Sequence, residues 1–292
     1  MSKLIQRLTI IGVGLIGGSL ARALKQADVC GEIVGCGRDE VELKKAVELG
    51  VIDRYAVDPA EAVCGADVVL LAVPLSAMRG VMESIKPALA TDVILTDVGS
   101  AKVSVLDDAR AVFGELPPGL VLGHPIAGTE KSGVEASFAT LYQKRKVILT
   151  PLDGSNDDAL STVAAMWRYA GAEVVEMSAE HHDLVLAATS HLPHVLAYTL
   201  VDSLARMDET SEIFQYAAGG FRDFTRIASS DAKMWHDICL ANRTELLNVL
   251  SHFRKDLDML SVALESSDSE AILECFSRAK LARDHFSKLI AE

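Results

Sequence analysis

The chain has 292 residues, half of them hydrophobic and about a quarter charged, the composition of a globular protein with room for one large or two modest domains. Its formal net charge of -13 argues against nucleic acid and anionic membrane as partners, since both repel an acidic surface. The five cysteines (Cys30, Cys36, Cys64, Cys239 and Cys275) are odd in number and lack C-x-x-C spacing, which argues against a disulfide framework or a metal site and fits buried thiols in a reducing cytosol.

Taken in chain order, the first residues carry no signal-peptide pattern, and a cytoplasmic location is expected. Residues 8–13 read as a strand and 19–26 as a helix. Further strands are expected at 32–36, 68–73, 93–97 and 120–123. A last pair, at 146–150 and 173–177, flanks a helix near 157–170. Strands alternating with helices predict a doubly wound parallel sheet, and the near-continuous β-branched runs suit strands covered on both faces.

After Ser178 no strand is expected. Ser178 itself is a candidate N-cap for a long helix. Residues 184–201 contain no Asp, Glu, Lys or Arg, a run long enough to consider for a membrane span. Ser190, His191, Pro193 and His194 at its centre are costly in lipid, so the run reads as a helix inside the protein or at a subunit interface. Leu246, Leu250, Phe253, Leu257, Leu260 and Leu264 recur at spacings of four and three, which predicts a helix packed on another helix, in the core or from a partner subunit. The turn-rich segment 151–158 is still followed by a strand, so the expected domains are 1–178 and 179–292.

Gly12-Val13-Gly14-Leu15-Ile16-Gly17 matches G-x-G-x-x-G between a predicted strand and helix. Gly12 permits the turn, Gly14 lets backbone approach a pyrophosphate, and Gly17 lets helix and strand pack; Leu15 and Ile16 open the helix whose N–H groups face the phosphates. An acid is expected near the end of the second strand to bind a ribose hydroxyl. Gly37 and Arg38 stand there instead, followed by Asp39. Arg38 suits a 2′-phosphate, which tilts the expected cofactor slightly toward NADP without excluding NAD.

The chemistry-bearing residues follow. His124, in Gly123-His124-Pro125-Ile126-Ala127-Gly128-Thr129-Glu130-Lys131-Ser132-Gly133, is expected just past a strand, on the carboxyl edge where ligands of such sheets bind. A histidine there is suited to handle a proton beside a nicotinamide. Ser100, in Asp97-Val98-Gly99-Ser100-Ala101-Lys102, is placed either to hydrogen-bond substrate and cofactor or to cap the following helix. His191 and His194, three apart, share a helix face and lack a third ligand for a metal. Arg226, after the Gly219-Gly220 pair, is a candidate carboxylate clamp in an acidic chain.

With GVGLIGGS at 12–19, DVGSAK at 97–102, GHPIAGTEKSG at 123–133, SHLPH at 190–194 and GGFRDFTRIASSD at 219–231, the chain resembles the prephenate/arogenate dehydrogenase (TyrA) family across nearly its whole length. The resemblance implies an N-terminal Rossmann-type α/β domain, a C-terminal all-helical dimerisation domain, and a homodimer. It implies NAD(P)-dependent oxidative decarboxylation of a small anionic cyclohexadienyl substrate. His124 then accepts the hydroxyl proton, and Ser100 orients hydroxyl and nicotinamide. Arg226 holds the ring carboxylate, while Thr129, Glu130, Lys131, His191, His194 and Asp223 line or gate the pocket. Glu130 and Lys131 are candidates for choosing between prephenate and arogenate. Neither a chorismate mutase-like segment nor an ACT-type regulatory domain is expected, so tyrosine inhibition is expected to act through the active site. The rival readings are a β-hydroxyacid or ketopantoate-type NADP-dependent dehydrogenase, for which Lys233 is the candidate acid/base, and a non-catalytic dinucleotide-binding sensor.

Overall fold

A computed structural model describes residues 3–152, 154–207 and 210–291. Eight strands run β1 (Ile5–Ile11), β2 (Cys30–Cys36), β3 (Arg54–Ala56), β4 (Val68–Leu71), β5 (Ile94–Asp97), β6 (Leu120–Pro125), β7 (Lys146–Thr150) and β8 (Glu173–Glu176). They form one sheet in the order β3-β2-β1-β4-β5-β6-β7-β8. Strand order reverses between β1 and β4, which opens the crevice where doubly wound folds take their ligands. Six helices accompany the sheet: α1 (Leu15–Gln26), α2 (Glu40–Glu48), α3 (Pro59–Val63), α4 (Met78–Ile85), α5 (Val103–Phe113) and α6 (Asp157–Tyr169).

Two apolar clusters sandwich the sheet. One joins Leu20 and Leu24 of α1 and Val163 and Trp167 of α6 to Leu8 and Ile10 of β1. The other joins Met78, Met82 and Ile85 of α4 and Val105 and Ala109 of α5 to Val69, Leu71 and Leu95. Because successive residues on β1 and β4 point to opposite faces, both faces must be apolar, hence the near-continuous hydrophobic runs.

Three expectations need correction here. The sheet is mostly parallel, but β6 and β7 pair antiparallel, His124 opposite Ile148. No α-helix crosses the sheet between them, only a short 3-10 turn at Val134–Ala136, so the chain returns alongside itself. β3 was not foreseen; three residues are too few for a periodic signal. Of the cysteines, Cys30 and Cys36 are buried, whereas Cys64 is exposed where α3 ends.

Past β8 the described chain is helical: α7 (Ala179–Leu186), α8 (Leu192–Ala205), α9 (Thr210–Gln215), α10 (Gly219–Thr225), α11 (Ala232–Ala241), α12 (Arg243–Glu265) and α13 (Ser269–Ala291). Ser178 caps α7 as expected, accepting from His181 N–H at 3.1 Å. A π-helical turn, Ala187–His191, joins α7 to α8, and Pro193 falls at the first turn of α8. The missing N–H of proline and the widened turn thus coincide at the histidine motif. The apolar stretch is a continuous 27-residue helix, Ala179–Ala205, with only 22% of its most apolar window buried. Most of the remaining residues of that run are half-buried. Packing divides the chain into Met1–Arg243 and Thr244–Glu292, so the compact unit carrying the sheet extends well beyond Ser178. In the second unit, Leu257 and Leu264 of the heptad series stay exposed, as do Leu273, Phe276 and Leu281 on α13.

Candidate active site

The glycine loop is shaped for close approach. Gly12 has φ +101°, and a Cβ there would lie 2.1 Å from the Ala72 carbonyl oxygen; at Gly17 a Cβ would lie 2.4 Å from the Gly12 oxygen. At Gly14, the N-cap of α1, nothing approaches within 4 Å, and no side chain caps the helix. No acid stands in its first turn, so the N–H groups beside Leu15 and Ile16 remain available to an anion. At the end of β2, Arg38 is exposed and has no described partner. Asp39 is committed locally: its carboxylate caps α2, accepting from Val41 N–H at 2.9 Å and Glu42 N–H at 3.4 Å.

His124 lies within β6, not beyond it. β6 outruns β5 after Val121 and is held there by β7, so the histidine sits at the carboxyl edge on a paired strand. It is buried, with 8% of its surface accessible. Its Nδ1 lies 2.8 Å from His182 Nε2, and His182 Nδ1 lies 2.7 Å from Asp183 Oδ1. Burial, then the neighbouring His182, Lys102 and His191, hold the His124 ring well below the usual imidazole range. It is therefore neutral at physiological pH, the state a proton acceptor needs.

Beneath His124 is a charged cluster that the sequence reading missed. Lys102 is fully buried and ion-paired with Asp97, and its Nζ also donates to the Gly123 carbonyl at 2.7 Å. Asp97 further accepts from Gly99 N–H at 2.7 Å and Gly123 N–H at 3.1 Å. Gly123, the residue preceding His124, is thus gripped at both its N–H and its C=O. Ser100 does not cap α5: no side chain of the strand-to-helix turn does so, and Asp183 takes the Lys102 and Val103 N–H groups at 2.7 and 3.0 Å. The capping alternative is removed, and the half-buried Ser100 hydroxyl has no described partner.

His191 and His194 make different hydrogen bonds, and both rings lie against Trp235. His191 is buried and faces Asn242 Nδ2 across 3.1 Å, while the same amide holds the Asp183 carbonyl at 2.7 Å. Burial pushes the His191 ring down to about 4. His194 stacks on Trp235 at 3.5 Å between ring centroids, and its Nδ1 donates to the Ser190 carbonyl. Trp235 was not singled out from sequence. Arg226, at the end of α10, forms an exposed ion pair with Glu130 of the loop after β6. That pair joins the candidate clamp to one of the two candidate determinants of substrate choice across 96 residues. Lys131 and Asp223 are exposed, and Thr129 exchanges weak hydrogen bonds with the Lys131 backbone. Lys233 is tied to Asp237, which also accepts from Ser76 and His236, remote from a role as free acid/base.

Residues 20–176 match the family described as prephenate dehydrogenase, nucleotide-binding domain, and residues 178–278 match prephenate dehydrogenase, dimerization domain. The chain is 43% identical over 283 residues to a cyclohexadienyl dehydrogenase of Zymomonas mobilis, covering 95% of each. It is 35% identical to the prephenate dehydrogenase of Bacillus subtilis, covering 97% of this chain and 77% of the relative. Among solved structures, prephenate dehydrogenase from A. aeolicus in complex with hydroxyphenyl propionate and NAD+ superposes with a TM-score of 0.89 at 37% identity, over 96% of this chain and 98% of the other.

Proposed function

This chain belongs to the prephenate dehydrogenase family, and from that membership we propose that it catalyses the oxidative decarboxylation of prephenate, arogenate or both, with hydride transfer to NAD(P)+, in tyrosine biosynthesis. The observation that carries the reading is His124: a buried, neutral imidazole on the carboxyl edge of the sheet, its inward nitrogen already occupied.

The substrate ring bears a hydroxyl and a hydrogen on one carbon and a carboxylate on the opposite carbon. When bound, the nicotinamide supplies the hydride acceptor; Gly12, Gly14, Gly17 and the start of α1 at Leu15 and Ile16 would hold its pyrophosphate. His124 takes the hydroxyl proton as the carbonyl forms. Loss of the ring carboxylate as carbon dioxide then aromatises the ring. Ser100, with an uncommitted hydroxyl on the turn after β5, orients the substrate hydroxyl and the nicotinamide. Arg226 holds the ring carboxylate. Its pairing with Glu130 is exposed and screened by water, so exchanging Glu130 for a substrate carboxylate costs little. His191, His194, Thr129, Lys131 and Asp223 line or gate the same pocket.

For the cofactor, the commitment of Asp39 to capping α2 and the unpartnered Arg38 support use of NADP+, with NAD+ also accepted. Residues 1–178 serve the nucleotide, and 179–292 serve substrate binding and homodimer formation, a reading supported by the half-buried apolar helix and the exposed leucines of α12 and α13. The protein works as a soluble cytoplasmic enzyme, and tyrosine inhibits by occupying the substrate pocket. Four initial rates, prephenate and arogenate each with NAD+ and NADP+, test the proposal through reduced nicotinamide. Absence of turnover in all four, with cofactor still bound, would leave a dinucleotide sensor; a strong preference for NAD+ would remove Arg38 from cofactor choice.

A further inference from the structure

We propose that His182, backed by Asp183, is a positioning residue that fixes His124 in the Nδ1–H tautomer and so leaves its Nε2 lone pair to take the substrate's hydroxyl proton. The inference rests on His124 being the base of the proposed reaction. It follows from counting protons along three side chains. The Asp183 carboxylate accepts and does not donate, so His182 Nδ1, 2.7 Å away, carries a hydrogen. A neutral imidazole has one N–H, so His182 Nε2 is an acceptor. His124 Nδ1, 2.8 Å from that acceptor, must donate. The remaining nitrogen of His124 is then unprotonated. The opposite order arises only if His182 is a cation, and burial disfavours that, since its side chain has 0% exposure.

The order is dictated from the Asp183 end, which is anchored more firmly than the His124 end. Asp183 accepts the Lys102 and Val103 N–H groups at the start of α5, an 11-residue helix whose N-terminus favours a negative charge. Its own carbonyl is held by Asn242. When His124 takes the proton, the new positive charge lies in line with His182 and the Asp183 anion, which offsets the cost of forming it in a buried place. The charged and titratable groups facing the histidine pair are Lys102 at the start of α5, Asp97 on β5, Asp183 on α7 and His191 on the π-helical turn. Lys102 and His191 oppose a cation, Asp97 and Asp183 favour one. This is the orienting logic of an acid–histidine pair in hydrolases, with a second histidine in place of the nucleophile.

The test is the ring tautomer of His124, read from imidazole 15N shifts of the labelled full-length protein without substrate. H182Q and H182L are measured beside the wild type. Glutamine keeps an acceptor toward His124 and a donor toward Asp183; leucine keeps neither. Expected are a protonated Nδ1 and bare Nε2 in the wild type and in H182Q, and a mixed tautomer in H182L. Expected too is a kcat in H182L lowered about 10²-fold, the scale of general-base catalysis, with at least a tenfold recovery in H182Q and unchanged cofactor affinity. A wild-type His124 protonated at Nε2, or an H182L variant with wild-type kcat and tautomer, overturns the proposal. If H182L fails to fold, the wild-type spectrum and H182Q still decide. A protein with the expected tautomer but no dehydrogenase activity leaves the tautomer assignment standing and overturns the functional reading instead.

Discussion

Lys102→Met removes a cation from the centre of the fold. Lys102 and Asp97 have side-chain exposures of 0% and 1%, so water does not reach the carboxylate left behind. Asp97 keeps the Gly99 and Gly123 N–H groups, while the Gly123 carbonyl loses its donor. Removing one partner of a buried pair costs about 3–5 kcal/mol, and the two retained backbone donors place this case near 3 kcal/mol. For a domain of roughly this size that lowers Tm by about 6–12 °C. Adding Asp97→Asn removes the stranded charge and should recover more than half of the loss. Because Lys102 grips the peptide beside His124, turnover should fall more than cofactor affinity does. Scanning calorimetry of the wild type, the single and the double variant measures the stability terms. A single variant within about 1 kcal/mol of wild type, or a double variant no better than the single, would refute the assignment of this pair as the anchor of the site.

Three further outcomes are expected. His124→Asn should keep cofactor binding and lose about two orders of magnitude or more in kcat, and near-normal turnover would remove His124 as the base. Arg226→Ala should mainly raise KM for the substrate, because the proposed clamp acts on the carboxylate before and during reaction; an unchanged KM speaks against the clamp. His191, held by burial at about 4 instead of its ordinary 6.5, stays neutral in the folded protein while the unfolded chain takes up a proton. Stability present above the unfolded value is therefore lost as pH falls between those two values, by about 3 kcal/mol. His191→Gln should flatten that part of the pH–stability curve measured by urea unfolding, and parallel curves for the two proteins would exclude His191 as its source.

Where local chemistry decides, the residues themselves were sufficient. Alternating apolar runs located seven of the eight strands, because a strand buried on two faces needs an unbroken apolar stretch. The glycine loop and the Ser178 cap were legible because both are set within a few residues of backbone. His124 stood out because an acid–base group beside glycines at a strand end is a local pattern. The antiparallel turn from β6 to β7 was not legible, since a long loop without a helix says nothing of the direction in which the chain returns.

What the sequence alone determined is the alphabet of the candidate site: a glycine loop, a histidine proposed as base, an arginine proposed as clamp and a family to hold them. What only the tertiary structure decided is how these are wired. His124 meets His182 across 58 residues, Lys102 meets Asp183 across 81, and Glu130 meets Arg226 across 96. A buried lysine or aspartate in isolation reads as an error of patterning, because its desolvation is repaid only by partners the fold brings to it, as Asp97 and the Gly123 carbonyl are brought to Lys102. The proton order proposed for His124 is likewise a property of three side chains in line, and no one of them carries it in its own neighbourhood.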